Sequence, residues 1–211
     1  MVKRMFFYLT VVSLIYVSNV VADSAPLQLD TERSVIEWTG KKVVGQHDGT
    51  VKLASGDVVF DQEHMLSGGT FQIDMSTIFN KDLIESPKDK AKLEGHLKSD
   101  DFFDVSTFPF ASFKIDKVKP LDVKQGVGRY SISGSLTIKG ISKPLAFETS
   151  VSRDGDRYLA TSDLKIDRVA WDIKYNSGKF FDLKSLGDKL IYDEIEIRLH
   201  LATQPESSLA E

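Results

Sequence analysis

The stretch YSISGSLTI, residues 130–138, decides the fold. Tyr130, Ile132, Gly134, Leu136 and Ile138 alternate with Ser131, Ser133, Ser135 and Thr137. Successive side chains of an extended chain point to opposite faces, so this run predicts a strand with one dry face and one hydroxyl-rich face. The same period of two recurs in TFQIDM through Phe71, Ile73 and Met75, in PLAFETSV through Leu145, Phe147 and Val151, and in EIEIRLHL through Ile195, Ile197, Leu199 and Leu201. Shorter candidates lie at residues 35–39, 51–53, 57–60, 111–118 and 158–166, about eight or nine strands in all. Ser55 with Gly56, Gly68 with Gly69, Gly140, and Asp154 with Gly155 read as turns, and short turns favour sequential antiparallel pairing.

A sheet of that many twisted strands with one apolar face tends to close, because closure removes exposed edges and buries the face together. A barrel of this size either fills itself with side chains or keeps room for one elongated ligand. Small residues assigned to the inward face, Gly134, Ala160 and Ser162, fit either reading: they leave space, or they let a neighbouring backbone approach.

One helix interrupts the strands, at SPKDKAKLEGHLKS, residues 86–99. Ser86 is placed to cap it, Pro87 suits the first helical position and Asp89 completes the capping signature. Leu93 and Leu97 share a face bordered by His96, and Glu94 is spaced to pair with Lys98. Ser99 reads as a second cap, with Asp100 and Asp101 ordering a turn that carries Phe102 and Phe103 toward the barrel, as a ligand wall or as an end plug.

The 211-residue chain begins MVKRMFFYLTVVSLIYVSNVVADSAP. Lys3 and Arg4, the apolar run Met5 to Val17, and small residues ending at Ala22 form a signal-peptide pattern over residues 1–22, with cleavage expected before Asp23. The apolar run is short for an integral membrane span, which needs roughly 20 residues. A periplasmic or secreted protein is therefore expected, with one domain over residues 23–201 and a disordered tail over 202–211. The net charge of −4 argues against nucleic acid, and the absence of cysteine removes disulfides and thiolate metal sites.

Catalytic signatures are weak. His47, His64, His96 and His200 show no close metal-ligand spacing, and no G-x-S-x-G occurs. GVGRYS at 126–131 leads into a strand without the helix that phosphate binding requires, and DGD at 154–156 lacks the rest of a calcium loop. No enzyme, cofactor or metal site is expected.

Several segments, in order, resemble the YceI-like polyisoprenoid-binding family: WTGKKVVGQHDGTV from Trp38, GGTFQIDM, LEGHLKSDDFFD at 93–104, FPFASFKI, GSLTIKGISKPLAF, DRVAWDIKYNSG and LGDKLIYDEIEIRLHL. The likeness runs from about Ser34 to Leu201. It implies an all-β, extended antiparallel eight-stranded lipocalin-like barrel with one or two short helices in an inserted segment. It also implies a polyisoprenoid or other long-chain lipid held inside, in an exported bacterial protein. On this resemblance and the inward positions, Trp38, Phe71, Phe102, Phe103, Phe113, Leu136, Phe147, Trp171 and Tyr175 are the candidate lumen residues. His96, Asp104 and Arg168 are candidate headgroup partners, against plainer roles for His96 at a core edge and for Arg168 in an ion pair with Asp167 or Asp172. The segment DLKSLGDK is slightly longer than the resemblance implies, which leaves the rim at residues 180–188 open.

Burying one methylene is worth about 0.8 kcal/mol, but a bilayer offers nearly the same gain. Any preference for the protein must come from cavity shape and polar contacts at its mouth. The alternative is an envelope interaction module with a filled barrel; a homodimer is left open.

Overall fold

The period-two runs become long strands in the computed structural model, which describes residues 26–209. The expected signal segment lies outside the described residues. The strands are β1 Leu27–Gln28, β2 Val35–Lys42, β3 Gln46–Phe60, β4 Leu66–Asn80, β5 Phe110–Lys124, β6 Val127–Ile138, β7 Ile141–Asp154, β8 Arg157–Asp167 and β9 Ile191–Ala202. Neighbours pair antiparallel in the order β3-β2-β9-β8-β7-β6-β5-β4, and β4 returns to β3, so eight strands close a ring. Short β1 pairs the far half of β3 through Leu27 and Val58, while Leu29 bridges Thr203 beyond β9. Residues 27–29 thus close the gap that β2 is too short to fill.

Two glycine signals mark close approach instead of turns. Ser55 and Gly56 lie within β3, beside a register shift, and Gly68 and Gly69 lie within β4. A Cβ on Gly56 would sit 2.9 Å from the Leu29 side chain, and one on Gly69 would sit 2.6 Å from the Asp57 carbonyl oxygen. Bulges let these 15-residue strands coil around the barrel. Gly140 and Gly155 do occupy turns, with φ of +70° and +62°.

Helix α1, Pro87–Lys98, occupies the connection between β4 and β5 and turns Leu93 and Leu97 inward. Pro87 stands in its first turn, but the Ser86 side chain makes no cap bond. Glu94 pairs with Lys90 at 2.6 Å, not with Lys98, and also accepts the Asn80 backbone N–H at 2.8 Å, which ties the helix to the end of β4. Ser99 terminates this helix: its hydroxyl donates to the His96 carbonyl at 2.8 Å. The second short helix, α2 Leu183–Leu186, belongs to the β8–β9 connection, after a 3-10 turn at Arg168–Trp171.

The tail expected to be loose from residue 202 is in part built into the wall. Ala202 and Thr203 are buried, Thr203 Oγ1 accepts the Tyr158 N–H at 3.0 Å, and Glu206 pairs with Arg153. Its last two residues lie outside the described residues.

Strand directions give the barrel two different ends. The β2–β3 hairpin, the β4–β5 connection with α1, the β6–β7 turn and the β8–β9 connection gather at one end. The β3–β4, β5–β6 and β7–β8 turns gather at the other.

Candidate ligand-binding cavity

The inward faces do not meet across the axis. Ile195, Ile197, Leu199 and Leu201 alternate with outward residues on β9 yet remain only half-buried, because their inner surface borders a void. That void is a cavity of about 300 Å³ running along the barrel and lined almost wholly by carbon, from Trp38 and Ile36 on one side to Leu145, Phe147 and Leu164 on the other. A filled barrel is not what these strands enclose. Gly134 contributes no space: a Cβ there would lie 2.2 Å from the Lys114 carbonyl oxygen and 2.6 Å from the Phe113 ring. Ala160 and Ser162 do line the cavity.

One end is sealed. Phe60 stacks on Tyr158 with centroids 4.1 Å apart, and Leu66, Val151 and Thr203 beside them are buried. Tyr130 is fully buried beneath, donating its hydroxyl to the Gly126 carbonyl at 2.9 Å. Burial pushes both phenols above their ordinary range, so they stay neutral hydrogen-bonding plugs. The lining at the other end includes Lys41, Lys42, His47, Leu93 and Tyr192, and Tyr192 is 48% exposed. The cavity has its mouth there.

Seven of the nine expected lumen residues reach the lining: Trp38, Phe71, Phe102, Phe103, Phe113, Leu136 and Phe147. Trp38 fits because Gly49 stands opposite it in register; a Cβ at Gly49 would come within 2.6 Å of the indole. The indole nitrogen donates to the Thr50 carbonyl at 3.3 Å, which fixes the ring against the wall. Trp171 and Tyr175 do not line the cavity. Trp171 is 3% exposed and donates its indole N–H to the Leu136 carbonyl at 3.1 Å, pinning the 3-10 turn to β6. Tyr175 packs behind Phe102, 5.5 Å between centroids, with the His96 ring edge-on to both.

The expected headgroup partners are mostly occupied elsewhere. His96 stands 3.0 Å from Asp101 and lies outside the lining. Asp104 adopts a left-handed φ of +46° and orders its turn, accepting the Ser106 hydroxyl at 3.1 Å. Arg168 does border the cavity, at 1% exposure, but its donors serve the Tyr192, Ile173 and Ile191 carbonyls at 3.2, 2.9 and 3.1 Å. Its ionic partner is Asp193 at 3.5 Å; Asp167 and Asp172 pair instead with Lys179 and Lys174. Burial pulls the guanidinium below its ordinary value, and the charges of Asp193 and Asp167 oppose that pull. Among the described residues no group of three His, Asp or Glu side chains is arranged to hold a metal ion, and no helix is long and apolar enough to cross a membrane.

The model of the YceI-like domain matches residues 27–203, the whole of the closed barrel. The chain belongs to the YceI-like domain family. Among solved structures, the YceI-like barrel is similar to Burkholderia cenocepacia BcnA, at 22% identity and a TM-score of 0.66, covering 83% of this chain and 99% of that one. It is also similar to a polyisoprenoid binding domain from Saccharophagus degradans, at 16% identity and a TM-score of 0.59 over 84% and 97%. A Campylobacter jejuni YceI protein matches at 14% identity and a TM-score of 0.51, over 97% and 94%. At these identities the likeness is one of fold. A UPF0312 protein of Vibrio parahaemolyticus is 29% identical over 100 residues, and one of Yersinia pestis is 36% identical over 66 residues. The chain spans 47% of the first relative and 32% of the second.

The mouth of this YceI-like chain holds residues that the sequence reading did not assign to the site, chiefly Lys41, Lys42 and Tyr192. Tyr192 lies within the register shift, between Ile191, which pairs with Lys42, and Ile195, which pairs with Gly40, and it reaches the lining out of phase with Ile195 and Ile197. His47, which matched a family motif, lines the mouth and stands 2.8 Å from Asp82.

Proposed function

We propose that this protein is a non-catalytic lipid carrier or sequestering protein. On this reading it holds a polyisoprenoid or similar long-chain amphiphile inside the barrel and works in the periplasm or outside the cell after export. The observation that carries the reading is the blind, carbon-lined cavity with a single mouth bearing Lys41, Lys42, His47 and Tyr192. A preformed apolar cavity with a few polar groups at its opening suits a ligand with a long tail and a polar end. The tail would extend toward Phe60 and Tyr158, and the head would remain beside the lysines. The Saccharophagus degradans domain of the same fold, named as polyisoprenoid binding, supports the choice of ligand class.

At about 0.8 kcal/mol per methylene, a few isoprene units supply useful affinity before ordering costs are subtracted. Native mass spectrometry tests the reading. Protein purified without detergent, or delipidated and offered a polyprenol, is expected to carry one amphiphile per chain. A clean protein mass after both treatments would overturn the assignment.

A further inference from the structure

We infer that the mouth end is a membrane-docking surface, built to seat on an anionic bilayer while the cavity faces the lipid. The purpose of such docking rests on the carrier reading above; the surface itself is argued from exposure and charge.

Large apolar side chains are exposed on two neighbouring loops at this end. Val43 and Val44, at the tip of the β2–β3 hairpin, are 44% and 62% exposed. Phe180, Phe181 and Leu183, in the β8–β9 connection, are 50%, 48% and 60% exposed. The loops are contiguous: the Val43 N–H donates to the Leu190 carbonyl at 3.2 Å, and the Ile191 N–H to the Asn176 carbonyl at 3.0 Å. Next to them, Lys42 and the 48%-exposed Tyr192 line the mouth. The apolar cluster therefore continues into the carbon-lined interior, and such a patch at the rim of a cavity marks an interaction surface.

The charges select the occupant. Lys42, Lys184 and Lys189 have no carboxylate partner among the described residues, whereas Lys41, Lys174 and Lys179 are paired with Glu196, Asp172 and both Asp167 and Asp193. Two of the four lysines in residues 174–190 are thus held by Asp167, Asp172 and Asp193, and the positive charge free to meet a ligand at this face is that of Lys42, Lys184 and Lys189, in a chain whose net charge is −4. An anionic surface repels the molecule as a whole and attracts it through this face, which orients the approach. Aromatic and aliphatic loop tips then enter the interface while long lysine stems let their ammonium groups reach phosphate. An apolar cargo thereby passes between bilayer and barrel without crossing water.

Co-sedimentation of the purified protein with vesicles of phosphatidylcholine and phosphatidylglycerol, against phosphatidylcholine alone, tests the surface. The protein is expected to bind the mixed vesicles, with binding weakened by salt. Lys184→Glu with Lys189→Glu should weaken it by about tenfold or more, and Phe180→Asp with Phe181→Asp, or Val44→Asp alone, should remove it. These side chains lie outside the cavity lining, so each variant, delipidated and offered a polyprenol directly, should load it as the parent does in native mass spectrometry. Failure of the wild-type protein to bind mixed vesicles, or binding indifferent to both sets of substitutions, overturns the docking surface. Vesicle binding by a protein whose cavity never holds lipid would leave the surface standing and overturn the carrier reading instead.

Discussion

Phe60 and Tyr158 lie face to face, 4.1 Å between centroids and 24° between planes, and so convert a through-barrel into a blind one. The stack is anchored: the Tyr158 N–H donates to Thr203 Oγ1 at 3.0 Å, and the Arg153 guanidinium lies 4.7 Å from the phenol ring centroid. Closure of one end depends on residues from β3 and β8 and on the segment following β9.

Phe60→Ala removes half of this stack and leaves a hole that the curved strands cannot fill. The expected cost is about 3–5 kcal/mol in urea unfolding, accompanied by faster release of bound lipid. A loss below about 1 kcal/mol would show that the far end collapses around the gap.

Arg168 is a structural cation, and its replacement tests that directly. Arg168→Met leaves three carbonyls without their donor and leaves Asp193 with Lys179 as its ionic partner, so a loss of about 3–5 kcal/mol is expected in chemical denaturation. Arg168→Lys keeps the charge but cannot serve three carbonyls, and should recover only part of the loss. Stability equal to that of the parent in both variants would return Arg168 to a ligand role.

Acid should loosen the mouth first. Burial alone would raise Asp82, but hydrogen bonds from His47, the Asp48 N–H and Asn80 outweigh it and leave the carboxyl below its ordinary value. Glu94 follows the same pattern, with Lys90 and the Asn80 N–H overcoming its burial. Carboxyls depressed in the folded state stabilise it above their unfolded value, near pH 4, and that contribution fades as pH falls through the folded value. Hydrogen exchange across residues 80–98 should therefore accelerate below about pH 4 before the rest of the barrel responds. Uniform exchange along the chain would refute the local linkage.

Leu199→Trp fills the cavity from β9. The fold should survive with an unchanged or higher Tm, because the added ring enters a void and displaces no packed neighbour. Lipid occupancy in native mass spectra should fall sharply. A stable variant that carries lipid as before would place the ligand elsewhere.

The alternation in YSISGSLTI and EIEIRLHL made the barrel legible, because one face of each strand is apolar and a period of two has a single structural meaning. Gly56 and Gly69 were not legible: a glycine that admits a neighbouring backbone and a glycine that turns a chain look alike in one dimension. The cavity walls could be read from Phe71, Phe113 and Phe147, whose strands announce their inward face. Trp171 and Tyr175 sit in an irregular connection with no period to orient them, and there aromatic character alone pointed to the lumen when it reports support of the wall. Tyr192 escaped because a register shift moved it out of phase with its own strand.

The barrel interior is an oily void open at one end. A crystal structure of the protein loaded with a polyprenol measures this most directly. Unbroken elongated density along the axis is expected, entering beside Tyr192 and Lys42 and stopping short of the Phe60–Tyr158 stack. Side chains of opposite strands in contact across the axis, with no density between them, would contradict it.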